Sequence, residues 1–301
     1  MQATFRQLRM LVALADAGSI TGAAKACHVT QPTVSMQLKD LAESVGLPLY
    51  EQVGKRLHLT EAGEALLRTA RTVQAEWESF EQQVAAFKGL EQGRLKLSVA
   101  STAKYFVPRM LGKFCAEHPH IDISLQVINR DGVVERLRGN LDDLYVLSMP
   151  PEDVPHHKEA LLPNPLVVIA SLEHPLGCSK RIRWQRLQDE AFILREPGSG
   201  TRMAADAHLA RLGLSPRVRL ELGSNEAVKQ SVAGGMGLGL ISRHALAADP
   251  RDDHVAVLPV QGFPAPSSWW LLWPLGKRLS PVATEFRGHL LALAKSWEAH
   301  N

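Results

Sequence analysis

At 301 residues the chain is long for one domain and comfortable for two or three, and 45% hydrophobic with 22% charged residues is ordinary for a soluble globular protein. A net charge of +3 argues little for nucleic acid by itself, so any such case must rest on where the charges stand. Cys27, Cys115 and Cys178 form neither a CxxC pair nor a disulfide framework, the opening MQATFRQLRM has no signal-peptide run, and no stretch approaches a membrane span. These features predict a cytoplasmic protein with no membrane partner.

In chain order, Thr4 with Gln7 forms a capping box, and Phe5, Leu8, Leu11, Val12 and Ala15 line one face of a first helix that Gly18 ends. Ser19 caps a short helix over 20–27, whose Ala23, Ala24 and Ala26 permit close packing. After a break at His28 and Val29, Thr30 caps another helix with Pro32 in its first turn. There Val34, Leu38, Leu41 and Val45 form one apolar stripe, while Gln31, Thr33, Ser35, Gln37 and Lys39 carry amides, hydroxyls and one cation. Such a face suits base edges and phosphates in a major groove, and the pair of helices reads as a helix-turn-helix. Short alternating runs at 49–53 and 56–60 around Gly54 and Lys55 predict a two-residue hairpin, a wing whose Lys55 and Arg56 would touch the DNA backbone. A small helical bundle without a partner is the plainer alternative.

Leu8-Arg9, Gly18-Ser19, Ala23-Ala24, Thr30-Gln31-Pro32, Val34-Ser35, Gln37, Leu41 and Gly46 together resemble the LysR-type transcriptional regulators over almost the whole first sixty residues. The chain departs from that pattern at Cys27, in place of an apolar leucine, and at Gln52, in place of an arginine and its phosphate contact. The resemblance implies double-stranded DNA as partner, at a pseudo-palindromic site, with Gln31, Pro32, Thr33, Ser35, Gln37, Lys39, Lys55 and Arg56 reading it.

A long helix is predicted over 60–88. Leu66, Val73, Phe80 and Phe87 repeat every seven residues, and Ala70, Trp77 and Val84 repeat likewise with an offset of four. That a/d seam predicts a coiled-coil partner helix in a second copy; packing on the chain's own domain is the alternative. In LysR-type regulators this segment is the linker helix that pairs subunits, which implies a homodimer, and a homotetramer as two such pairs.

From Arg94 onward strands and helices alternate, which predicts parallel sheets covered by helices, and so many strands predict two lobes. Proline-marked switches near 162–165 and 262–268 are the expected hinges. The predicted organisation is therefore α/β plus all-α: a winged helix-turn-helix at 1–60, a coiled-coil helix at 61–89 and a two-lobed effector domain at 93–301, shaped like a periplasmic solute-binding protein. Lobe I would comprise 93–162 and 268–301, and lobe II 165–266.

Ligands in such sheets collect beyond the carboxyl ends of strands. Ser101, Thr102 and Lys104 follow the first strand, and Asn129 and Arg130 the second. In lobe II, Arg195-Glu196-Pro197-Gly198-Ser199-Gly200-Thr201-Arg202 leads into a helix, and Asn225 opens the next one. Backbone N–H groups, the hydroxyls of Ser199 and Thr201 and a helix N-terminus would converge there, with Arg195 and Arg202 clamping a carboxylate or phosphate. The alternative is that these are ordinary caps and that the arginines pair with Glu196 and Asp206. REPGSGTR, LGSNEAVKQ and the Ala233–Gly237 run resemble the LysR-type regulators of carbon-fixation (RuBisCO) operons, which implies an activator sensing a phosphorylated metabolite, nucleotide or carboxylate. RNA polymerase is a further candidate partner.

No enzyme signature competes. Pro197 breaks the G-x-S-x-G pattern around Ser199, the glycines at 234–239 fit neither a dinucleotide nor a phosphate-loop motif, and His118, His120, His156 and His157 read as loop surface. No catalytic residue, metal or cofactor is expected. A solute-binding protein without a DNA role would leave the first ninety residues without a purpose.

Overall fold

The computed structural model describes residues 3–53, 56–87 and 93–298. Two compact units result, and each has its own core.

The N-terminal unit contains α1 (Phe5–Ala17), α2 (Ile20–Ala26), α3 (Gln31–Val45), β1 (Tyr50–Val53), β2 (Arg56–Leu59) and α4 (Glu61–Phe87). The Thr4–Gln7 capping box forms, and Gly18 closes α1 in the left-handed region at φ +63°. Ser19 caps α2 by accepting from the Gly22 N–H at 3.1 Å. Thr30 does not cap α3 with its side chain: its hydroxyl pairs instead with that of Thr33 at 2.8 Å, and Pro32 occupies the first turn as expected. Val34, Leu38 and Leu41 are fully buried against Met10, Leu11, Leu14 and Ala23, which welds the three helices together. The β1–β2 register sets Val53 opposite Arg56, while Gly54 and Lys55, where the hairpin loop was expected, lie outside the described residues. Gly63 matters for a reason the sequence reading missed: a Cβ there would lie 1.9 Å from the Leu49 carbonyl oxygen, so only glycine lets α4 start against the wing.

In α4 Ala70 is buried, while Val73, Trp77 and Phe80 are 39%, 50% and 53% exposed. Phe5 packs on Trp77 and Trp77 on Phe80, each at a ring separation of 5.7 Å. An apolar stripe thus stays in solvent on a single chain. The side chain of Phe87, the last member of the seam, lies outside the described residues.

The second unit holds two five-stranded sheets. The first is built from β3 (Gly93–Ala100), β4 (Ile121–Ile128), β5 (Leu144–Leu147), β6 (His156–Pro163) and a late strand, β12 (Ser268–Pro274). Helices α5 (Val107–Glu117), α6 (Arg130–Arg138) and α9 (Pro281–Glu298) accompany it. The second is built from β7 (Leu166–Ser171), β8 (Ala191–Arg195), β9 (Arg217–Leu222), β10 (Leu238–Ser242) and β11 (Val255–Val257), with α7 (Gly200–Leu212) and α8 (Asn225–Ala233).

The sheets are mixed, which corrects the expectation of parallel ones. In the order β4-β3-β5-β12-β6 the first three strands are parallel, but β12 runs antiparallel to β5 and β6. In the order β11-β7-β10-β8-β9, β7 is antiparallel to both neighbours. The cause is the double passage of the chain: β6 and β12 run side by side into the hinge, and antiparallel pairing is how an outgoing and a returning strand meet. The two connections are bonded to one another, with Asn164 N–H donating to the Ser267 carbonyl at 2.8 Å and Leu166 N–H to that of Ala265 at 2.9 Å. Strand β6 also corrects the reading of His156 and His157 as loop surface; His157 stacks on Trp273 across the β6–β12 pair at 5.2 Å. Its apolar residues crowd at one end, so it lacks the alternation that would have marked it. Among the described residues no helix is long and apolar enough to cross a membrane.

Candidate functional site

Two surfaces carry the polar groups singled out above. On α3, burying Val34, Leu38 and Leu41 forces the opposite side outward. Gln31, Pro32 and Lys39 are exposed, and Thr33, Ser35 and Gln37 half-buried. At about 100° per residue, these do not form one continuous face. Ser35 and Lys39 fall on one flank and Thr33 and Gln37 on the other, with Pro32 and Met36 on the crest between. Met36, 56% exposed, is the residue the sequence reading overlooked, since an apolar side chain among polar ones was counted as neither core nor contact. Thr21 of α2 donates to the Gln31 side-chain carbonyl at 3.4 Å, which ties the two helices at the start of α3. Lys39 and Glu43 lie 3.8 Å apart and largely in water, a pairing weak enough to exchange for phosphate. Lys55 lies outside the described residues, as does the side chain of Arg56.

The second surface lies between the two sheets, where groups distant in sequence meet. Ser101 and Thr102 begin the 3-10 turn after β3, Arg195 ends β8, and Asn225 begins α8. Asn225 donates to the Thr102 hydroxyl at 2.6 Å, and the Arg195 guanidinium reaches the Ser101 hydroxyl at 3.4 Å. Asn225 and Thr102 are buried, and the Asn225 side-chain carbonyl is buried without a hydrogen-bond partner. Gly198 and Gly200 bring the loop before α7 against the first sheet's side. A Cβ on Gly198 would stand 2.6 Å from an Asp131 carboxylate oxygen, and one on Gly200 2.5 Å from the Ser148 hydroxyl. The glycines therefore serve close approach as well as turning, Gly198 alone being in the left-handed region at φ +84°.

The remaining expected residues divide. Ser199 is buried and accepts from the Arg202 N–H at 3.0 Å, so its hydroxyl caps α7. Thr201 is buried in the first turn of α7. Arg195 is bidentate to Glu196 at 2.7 and 2.9 Å, which neutralises its charge. Arg202 does not reach across the lobes: it bonds Asp206 at 2.9 Å, Glu221 at 2.6 Å and the Arg195 carbonyl at 2.9 Å, all on its own sheet. Burial alone would lower its pKa, but these carboxylates raise it. It braces β8 and β9 and is no free clamp. Arg130 donates to the Met149 carbonyl at 2.7 Å, Asn129 caps α6 through the Gly132 N–H at 3.0 Å, and Lys104 is exposed over the Tyr105 ring. Ser148 was missed, although it directly follows the buried strand β5 and the same carboxyl-end rule would have found it.

Two family models divide the chain between them. One described as "Bacterial regulatory helix-turn-helix protein, lysR family" matches residues 5–64, and one described as "LysR substrate binding domain" matches residues 88–295. The chain belongs to the LysR family. As a LysR-family member it is a DNA-binding transcriptional regulator and not an enzyme. A RuBisCO operon transcriptional regulator of Acidithiobacillus ferrooxidans is 47% identical over 98% of this chain and 96% of its own length. The HTH-type transcriptional activator CmpR of Synechocystis is 44% identical over 96% of this chain and 95% of its own. Among solved structures, the Synechocystis CcmR regulatory domain in complex with 2-PG is 45% identical with a TM-score of 0.65, covering 68% of this chain and 98% of that one. Full-length OxyR from Pseudomonas aeruginosa superposes over 98% of this chain and 95% of that one with a TM-score of 0.78 at 22% identity, which shows the shared LysR fold.

Proposed function

We propose that this LysR-family regulator activates a carbon-fixation operon from the cytoplasm, as a homotetramer responding to a small phosphorylated carboxylate such as 2-phosphoglycolate. The observation that carries the reading is the meeting of Ser101 and Thr102 with Arg195 and Asn225 between two lobes whose chain crossings, near 164–166 and 265–267, are bonded to one another. Support for the pathway comes from the near full-length similarity to RuBisCO operon regulators, and for the ligand from the 2-PG complex of the CcmR domain. The ligand would replace the direct lobe-to-lobe contacts with its own, and so shift the populations of lobe arrangements. The exposed α4 stripe of Val73, Trp77 and Phe80 would be covered by a second copy. DNA would be read by Gln31, Pro32, Thr33, Ser35, Gln37 and Lys39, with Lys55 and Arg56 on the backbone, and RNA polymerase would be met at the promoter.

Gel shifts on the promoter region of the neighbouring operon, with and without 2-phosphoglycolate, test this. The expected outcome is binding that weakens steeply with salt and changes in extent or mobility with the ligand. Calorimetry showing no heat with 2-phosphoglycolate, or with other phosphorylated metabolites and nucleotides, sinks the effector reading and leaves the family assignment standing.

A further inference from the structure

A separate pocket of about 430 Å³ opens beside the cleft, lined by Tyr105 and Arg109 from the first lobe and by Lys229, Arg243, residues 244–248 and Asp253 from the second. Ser101, Thr102, Arg195 and Asn225 do not line it. We infer that this pocket binds a phosphate group as a second anion site, bridging the lobes independently of the ligand in the cleft.

The charge balance carries the inference. Lys229 is held by Asp253 at 2.6 Å and by Glu226 at 3.2 Å, so that cation is neutralised. Asp253 also interacts electrostatically with Arg243, so Lys229 and Arg243 together face two carboxylates and Arg109 is the cation in excess. Arg243 gives its guanidinium to the backbone carbonyls of Ala247 and Ala248, at 2.9 and 3.0 Å, acceptors that bear no charge. Arg109 is exposed on α5 and forms no ion pair among the described residues. Two guanidiniums therefore face one volume from opposite lobes with one positive charge in excess, and an anion between them bridges the lobes.

The neutral groups fit the same ligand. The Tyr105 hydroxyl is buried without a partner, and burial, then the nearby Glu226, push its pKa up, so it remains a donor. Burial pushes the pKa of His244 down although the Pro163 carbonyl, which one ring nitrogen meets at 2.7 Å, pulls it up, so the ring lines the site as a neutral group. Donors arriving from several directions suit a tetrahedral phosphate better than a planar carboxylate, which a single guanidinium fork would satisfy. The pocket's volume falls within the range of small-metabolite sites.

The test is calorimetric titration of the full-length protein with inorganic phosphate, with chloride added to hold ionic strength constant. Arg109→Gln and Arg243→Gln should each weaken phosphate binding by roughly tenfold or more, and Arg109→Lys should retain part of it. Arg109 is a surface residue, so its substitution leaves the fold intact even where that of Arg243 disturbs the 244–248 turn. Phosphate binding that survives Asn225→Ala but falls with Arg109→Gln assigns the anion to this pocket, whatever becomes of the effector reading. No binding by the wild type, or binding undiminished in Arg109→Gln, overturns the site.

Discussion

The DNA-reading unit and the effector body handle their polar groups in opposite ways. On α3 the apolar stripe is spent entirely on the core, and the polar flanks make few bonds of their own, the weak Lys39–Glu43 pair among them. In the body most of these polar groups are bonded to one another across the lobes, as the Asn225 side-chain N–H is to Thr102, or within one lobe, as Arg202 is, while the Asn225 side-chain carbonyl stays buried and unpaired. A surface that meets a large, highly charged partner can wait in water, because water is the only competitor. A buried cleft cannot leave its groups unpaired at such low cost, so its ligand must outbid internal contacts. In the function proposed above, that exchange of partners would make the body a switch and the helix a reader.

The sharpest way to break the comparison is at the core of the reader. Leu38→Ala removes a fully buried side chain and should cost about 2–5 kcal/mol, with DNA binding lost alongside the first unfolding transition in a denaturant titration. Gln31→Ala or Ser35→Ala should instead leave that transition in place and weaken DNA affinity by about 1–3 kcal/mol in a gel shift. Equal effects from the core and surface substitutions would mean that α3 is structural only. In the body, Asn225→Ala should lower 2-phosphoglycolate affinity by about 1–3 kcal/mol while DNA affinity without ligand is kept.

Arg202→Ala sharpens the contrast within the cleft. Because this arginine joins Asp206, Glu221 and the Arg195 carbonyl on one sheet, its loss should lower the thermal midpoint by a few degrees and change ligand affinity little. Abolished ligand binding with an unchanged midpoint would return it to the role of clamp. The smallest expected effect is on pH dependence at His244, whose pKa burial holds below its ordinary value. The unfolded chain takes up this proton near pH 6.5 and the folded one only at lower pH, so stability falls as pH drops through about 6.5 and levels off below the folded pKa. His244→Gln should flatten that slope in melts taken between pH 7.5 and 5.

Local periodicity and punctuation determined most of the reader, though α1 buries Met10, Leu11 and Leu14 and not the Phe5, Leu8 and Val12 face read from its sequence. The capping box at Thr4, the left-handed Gly18, Pro32 and the stripe of Val34, Leu38 and Leu41 all act within a few residues of themselves, and helix geometry converts their spacing directly into faces. The span of α4 was legible for the same reason, though Leu66 at its start packs on the N-terminal core and only Val73, Trp77 and Phe80 of the described seam stay exposed. What the tertiary structure decided was everything that depended on the hinge: the antiparallel β6 and β12, the reassignment of His156 and His157 to a strand, and the division of labour between Arg195 and Arg202. The two arginines flank one loop, at the end of β8 and in the first turn of α7, and carry the same chemistry in sequence, yet one reaches Ser101 from nearly a hundred residues away and the other stays on its own sheet. No short-range pattern distinguishes them, because the choice of partner is made only when two sheets formed from interleaved segments are brought face to face.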